Sequence, residues 1–309
     1  MILPKFEYRK AHTVEEALAL YNFYDGRAVY LAGGTDLVPR LKLRLQKPVA
    51  VIDLKGIEEL RGLTEEREWV RVGSLMSLYD LKEAEPVREF YPTLREALDA
   101  TSCETLQMRG TVGGNILQEA RCLFYNQSEF WRRAKGFCLK MGGERCNATG
   151  GSKCLANYMG DLAPALLTLR AKVKLIGPEG EREVGLEGLF TGRGERPLEV
   201  KPGEVLTEVL IPKVKVKGGY EKLRLRGAID YPLVGVALSL WDGRGRLSVG
   251  AIGPKPSLKE FAAEEVQGAV EGASEGLRAV ANTVLDPLYR RQMAVVLSRR
   301  LVKRVLEVG

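Results

Sequence analysis

Four of the five cysteines in this 309-residue chain, Cys122, Cys138, Cys146 and Cys154, fall in one stretch, separated by fifteen, seven and seven residues. Four thiolates suit a [4Fe-4S] cubane, a tetrahedral zinc ion or redox-active thiol pairs, and the spacing lacks the C-x-x-C knuckle usual in structural zinc sites. A zinc site using histidine is closed, because the only histidine, His12, lies far away in sequence and reads as a surface or helix-start residue. Four thiolates on a cubane leave a net charge of about −2. Arg121, Arg132, Arg133, Lys135, Lys140, Arg145 and Lys153 lie near enough in sequence to offset it, and Phe124, Tyr125, Phe130, Trp131 and Phe137 would exclude water. Cys103 stands outside the spacing and reads as a buried core thiol.

Two glycine pairs form a second candidate site. "AGGTDL" (Ala32 to Leu37) and "TVGGNI" (Thr111 to Ile116) each set adjacent glycines beside a hydroxyl residue. Without a Cβ, such loops let backbone N–H groups approach a ligand oxygen, and two of them could grip one pyrophosphate. Each is also compatible with an ordinary tight turn. Neither matches G-x-G-x-x-G, so a Rossmann site is not indicated.

The elements that must hold these residues alternate in type. "RAVYLAGG" reads as a strand running into a glycine turn, "TDLVPRLKLRL" as a short helix and "PVAVIDL" as the next strand. Thr13 three residues before Glu16 marks a capping box opening "HTVEEALALY". "EWVRVGSLMSLYDLKE" repeats strand, turn and helix, and "FYPTLREALDA" is a further helix. "AKVKLIGPEGEREVGL" and "LVGVALSLWDGRGRLSVGAIG" read as hairpins, the second turning at Asp242 and Gly243, and Leu285 to Val308 as a closing helix. A chain of this length exceeds one core, so two or three subdomains are expected, with a boundary near residue 175 or 215. The net charge is +7, but Lys and Arg are interleaved with Glu, which argues against a nucleic-acid surface. No apolar run suits a membrane span, no signal peptide opens the chain, and the expected location is the cytoplasm.

"YLAGGTDLVPRLK", "RGTVGGNIL", "GDLAPALLTL", "EVLTEVLIP", "YEKLRLRGAIDYPLVGVAL" and "YRRQMAVVLSRRL", in that order, resemble the FAD-binding subunit of the molybdenum hydroxylase family, which includes xanthine dehydrogenase and carbon monoxide dehydrogenase. The resemblance spans nearly the whole chain. It implies an α+β fold of the vanillyl-alcohol oxidase type, with two subdomains around FAD and a smaller C-terminal α+β domain. Residues 1–215 would form the FAD-binding domain and residues 216–309 the C-terminal one. Matched position by position, Leu31, Ala32, Gly33, Gly34, Thr35, Asp36, Leu37 and Val38 would wrap the diphosphate, and Thr111, Gly113, Gly114 and Asn115 would form the second phosphate loop. Asp161, Leu206 and Lys222 fall on further cofactor contacts, and Asp230 with Tyr231 on the stretch beside the isoalloxazine ring.

Residues 119–158 read as an insert in this family. "RCLFYNQSEFWR", "CLK" and "CLANYMGDLAPAL" resemble one branch, the β subunits of 4-hydroxybenzoyl-CoA reductases, in which such an insert binds a [4Fe-4S] cluster. The resemblance therefore implies cluster ligation by Cys122, Cys138, Cys146 and Cys154. It further implies a molybdopterin-containing large subunit, a [2Fe-2S] small subunit and a ferredoxin donor that docks on basic residues such as Arg132 and Arg133. Reductive dehydroxylation of 4-hydroxybenzoyl-CoA would take place on the large subunit, so this chain supplies no general acid, base or nucleophile. The alternative is a flavin subunit of an oxidative hydroxylase, acting on a purine or aldehyde and passing electrons to NAD.

Overall fold

The computed structural model describes residues 2–307. Its first part is a βαβαβ run: β1 (Glu7–Lys10), α1 (Val14–Phe23), β2 (Ala28–Leu31), α2 (Leu37–Lys42) and β3 (Ala50–Asp53). The strands pair in parallel in the order β1-β3-β2. Thr13 caps α1 by accepting the Glu16 N–H, while the Glu16 carboxylate accepts from the His12 N–H, one residue earlier than a capping box requires. His12 is exposed at this helix start.

A five-stranded antiparallel sheet opens with β4 (Leu63–Glu65) and β5 (Trp69–Gly73). The chain leaves it for helices α3 (Leu78–Glu83), α4 (Glu85–Phe90), α5 (Pro92–Ala100), α6 (Glu104–Gln107), α7 (Val112–Ile116), α8 (Glu129–Lys135) and α9 (Leu162–Thr168). It returns as the hairpin β6 (Lys172–Gly177) and β7 (Gly180–Gly185), forms a small hairpin of β8 (Phe190–Arg193) and β9 (Arg196–Leu198), and adds β10 (Val205–Pro212). The strand order is β4-β5-β10-β6-β7. Because Leu175 on β6 pairs with Leu206 on β10, no division of the chain falls at residue 175. The same pairing slips between Leu206 and Glu208, a bulge near the start of β10, where Leu206 lines the candidate site.

β11 (Lys217–Leu223), β12 (Val234–Trp241), β13 (Arg244–Gly250) and β14 (Ser257–Ala262) form a second antiparallel sheet, followed by α10 (Val266–Glu271) and the long α11 (Pro287–Glu307). Asp242 (φ 44°) and Gly243 (φ 71°) make the β12–β13 turn with both central residues left-handed, as a tight hairpin demands. Val308, expected to end α11, lies outside the described residues. Helix α9, "LAPALLT", is buried at every position. It packs with α5 against the four-stranded sheet on the side opposite α11, so β12 carries apolar residues on both faces. Among the described residues, no helix is long and apolar enough to cross a membrane.

Candidate cofactor site and thiol cavity

β2 runs directly into the first glycine loop, and α2 begins at its far end. The second loop opens α7, where the Thr111 hydroxyl accepts the Gly114 N–H at 3.1 Å. The two loops lie against each other for a steric reason. A Cβ on Gly33 would fall onto the Arg109 carbonyl, and one on Gly113 would sit 2.8 Å from the Ser74 Cβ, so at these two glycines the space a side chain would need is already filled by protein. Gly34 (φ +79°) supplies a left-handed turn. Gly114 is exposed, and a Cβ there would meet only the Thr111 Oγ1, at 2.8 Å.

Between the parallel and five-stranded sheets lies a cavity of about 350 Å³, lined by Ala32 to Leu37, Thr111, Gly113, Gly114 and Leu206. A smaller adjoining cavity of about 130 Å³ is lined by Thr35, Asp36, Thr111, Gly114, Asn115, Asp161, Asp230 and Tyr231. Thr35, Asp36, Thr111 and Gly114 border both. Three residues of the expected set stand behind these walls. Leu31 and Val38 flank Gly34, and Lys222 approaches through Asp161. Residues that sequence reasoning missed include Tyr30, Ser74 and Gly203 in the larger cavity and Gln118 in the smaller. Nothing in their local sequence marks them, because they arrive from separate elements.

Asp161 is 4% exposed and accepts from Lys222 Nζ at 3.0 Å and from the Tyr220 hydroxyl at 2.9 Å. Burial raises its carboxyl above the ordinary 3.8, although Lys222, Tyr220 and Arg224 favour the charged form. Asp230 is held below its ordinary value: burial opposes the charge, but main-chain and side-chain hydrogen bonds from Arg226 and the Leu225 N–H outweigh it. Two buried carboxamide oxygens on these walls, Gln46 Oε1 and Gln118 Oε1, find no hydrogen-bond partner among the described residues. Glycine-floored and edged with unused polar atoms, the adjoining cavities suit a dinucleotide.

Segment 119–158 is closed at its base by reciprocal bonds between Arg121 and Asn157, N–H to carbonyl at 2.7 and 2.8 Å. Cys122, Cys138, Cys146 and Cys154 all line one small cavity inside it. Burial pushes the Cys122 thiol up to about 11, and the neighbouring Cys138 and Cys154 sulfurs add to this. Burial raises the Cys154 thiol as well. At Cys146 burial is outweighed by the Thr149 hydroxyl and then by neighbouring main-chain N–H groups, and the thiol is lowered. Among the described residues, no three Cys, His, Asp or Glu side chains converge closely enough for a single ion. The thiols instead surround a space, with Lys140 on its wall to offset negative charge.

Several expectations for this segment change. Arg132 is 2% exposed and donates to the carbonyls of Leu43, Arg44 and Gln127, capping the end of α2, so it offers no docking charge. Arg133 remains exposed, paired with Glu129. Phe130 is 83% exposed and Phe137 also faces solvent; Tyr125 is the buried aromatic, and Phe124 packs on Trp131. Cys103 is half-exposed at the start of α6, bonded to the Thr105 hydroxyl rather than buried in the core.

Fold and cavity together point to a dinucleotide-binding protein. The family model for the FAD binding domain in molybdopterin dehydrogenase matches residues 4–214, and the chain belongs to that family. It is 30% identical over 316 residues to the aldehyde oxidoreductase FAD-binding subunit PaoB of Escherichia coli K12, covering 97% of each chain. It is 28% identical over 323 residues to the carbon monoxide dehydrogenase medium chain of Hydrogenophaga pseudoflava, covering 100% of this chain and 98% of that one. A solved structure of carbon monoxide dehydrogenase from Hydrogenophaga pseudoflava superposes with a TM-score of 0.79 at 26% identity, covering 99% of both chains. The chain is thus an FAD-binding subunit of an oxidoreductase of the molybdenum hydroxylase type.

Proposed function

We propose that this chain links two redox centres inside a larger molybdenum enzyme. FAD lies along the paired cavities, held by the residues of both glycine loops and by Asp161, Leu206, Asp230 and Tyr231, with Leu31, Val38 and Lys222 supporting them from behind. Cys122, Cys138, Cys146 and Cys154 hold a [4Fe-4S] cluster. The observation that carries this reading is the convergence of all four thiols on one cavity. When bound, a flavin exchanges electrons in pairs or singly and a cubane singly, so the chain connects two-electron chemistry to one-electron carriers. Its own residues bind, orient and shield these groups; none acts as acid, base or nucleophile on a substrate.

Residues 1–215 act as the FAD-binding domain, with the thiol segment 119–158 set into it, and residues 216–309 as the C-terminal domain. The partners are a molybdopterin-containing large subunit and a [2Fe-2S] small subunit, in the cytoplasm. The relatives above are named aldehyde oxidoreductase and carbon monoxide dehydrogenase, which favours an oxidative enzyme passing electrons outward to NAD. The second reading, reductive dehydroxylation of 4-hydroxybenzoyl-CoA with ferredoxin as donor, rests on the cysteine motif. Anaerobic mixing of the assembled enzyme with an aldehyde, with NADH and with reduced ferredoxin separates them. Flavin bleaching by aldehyde, or by NADH, supports the oxidative reading, and bleaching by reduced ferredoxin alone the reductive one.

A further inference from the structure

Arg121 stands between the thiol cavity and the glycine-loop cavity, lining neither and touching residues of one while adjoining a cysteine of the other. Its main chain closes the base of the thiol segment against Asn157, one residue ahead of Cys122. Its side chain reaches the other way. The guanidinium bonds the Asp36 carboxylate at 2.5 Å and lies 3.9 Å over the ring of Tyr231. Asp36 and Tyr231 both line the smaller glycine-loop cavity, whereas Arg121 itself does not.

The arginine and Asp36 are well shielded, with side chains 16% and 17% exposed, so their interaction is little screened by solvent. Asp36 has a second, longer ion pair with Arg40 at 3.6 Å. Removing the Arg121 charge therefore leaves a carboxylate at the cavity wall with its nearer cation gone. A planar guanidinium also stacks on an aromatic ring and forks onto a carboxylate in a way an ammonium cannot.

From this we infer that Arg121 is a positioning residue for the flavin. It holds Tyr231 and Asp36 in place at the cavity wall, and its positive charge favours the reduced, more negative cofactor. The inference rests on FAD occupying the paired cavities.

The test compares Arg121→Gln and Arg121→Lys with the wild-type chain by FAD titration, by flavin midpoint potential and by iron content. Arg121→Gln is expected to bind FAD about tenfold more weakly. Its flavin potential should fall by about 30 mV, the two-electron equivalent of a tenfold change. Iron content should stay at the wild-type level, because the main-chain bonds to Asn157 do not need the side chain. Arg121→Lys should keep the wild-type potential, since the charge remains, while its affinity falls between the other two. Wild-type affinity and potential in Arg121→Gln would overturn the inference, as would an equal drop in potential in both variants. If Arg121→Gln does not fold, Arg121→Lys decides: weaker FAD binding at unchanged potential supports the inference, and unchanged binding overturns it. A wild-type chain that takes up FAD but no iron leaves this inference standing and removes the cluster; one that takes up no FAD removes this inference together with the flavin reading on which it rests.

Discussion

The Lys222 ammonium meets the Asp161 carboxylate at 3.0 Å with both side chains almost wholly buried, 3% and 6% exposed. Lys222 comes from β11 of the four-stranded sheet, and Asp161 from the start of α9 on the wall of the smaller cavity. The pair therefore ties the cavity wall to the C-terminal sheet. Lys222→Met should destabilise the fold by about 3–5 kcal/mol in urea unfolding, because it strands a buried carboxylate. The double variant Asp161→Asn, Lys222→Met should recover most of that loss. A single variant as stable as wild type would show that the pair contributes little.

Glycines in the two loops should separate into two kinds. Gly33→Ala has nowhere to put its methyl group except on the Arg109 carbonyl, so it should cost about 3 kcal/mol and lower the yield of folded protein. Gly114→Val projects toward the cavity and should remove FAD from protein whose circular dichroism is unchanged. Flavin retained at full occupancy in Gly114→Val would take that loop out of the binding site.

The Glu204 carboxylate sits on the wall of the larger cavity and receives the Arg182 fork at 2.7 and 2.8 Å and the Lys201 N–H at 2.7 Å. The Arg182 hydrogen bonds lower its carboxyl below the ordinary 4.5 despite burial. With the folded value below the unfolded one, the stabilisation is complete above about pH 4.5 and is lost as pH falls through the folded value. Glu204→Gln should be about 1–3 kcal/mol less stable at pH 7 and should show a flatter decline below pH 4.5. Parallel acid limbs for the two proteins in urea midpoints against pH would contradict this assignment.

Arg132 and Arg133 look alike in sequence and should behave differently. Arg132→Ala strips the caps from the Leu43 and Arg44 carbonyls and should loosen segment 119–158, costing about 3 kcal/mol locally, with faster proteolysis there and less iron. Arg133→Glu should leave both unchanged. Equal protease resistance in the two variants would remove the anchoring role of Arg132.

These contrasts show where sequence reading succeeds and where it stops. The Asp242–Gly243 turn is legible because left-handed geometry restricts residue type locally, and the Thr13 cap is legible because its partner, Glu16, lies three residues on. The cysteine spacing shows that four thiols are available, and the glycine pairs show where the backbone is bare. What Gly33 and Gly113 touch depends on Arg109 and Ser74, whose arrival no local pattern encodes. Arg132 registers in sequence only as a charge, because its burial is decided by carbonyls nearly ninety positions away. Arg121 reads as an offset to the thiolates, whereas its side chain turns toward Asp36 and Tyr231.

The central claim is that one chain carries a flavin and a four-thiolate iron–sulfur cluster as separable centres. It is tested most directly by quantifying FAD, iron and zinc in anaerobically purified wild-type and Cys138→Ser protein, together with their visible spectra. The wild-type protein should hold about one FAD and about four irons per chain, with broad absorption beneath the flavin bands. Cys138→Ser should lose most of the iron and that absorption while keeping its FAD, because both glycine loops lie outside segment 119–158. Zinc in place of iron, or a Cys138→Ser protein with undiminished iron, would contradict the account.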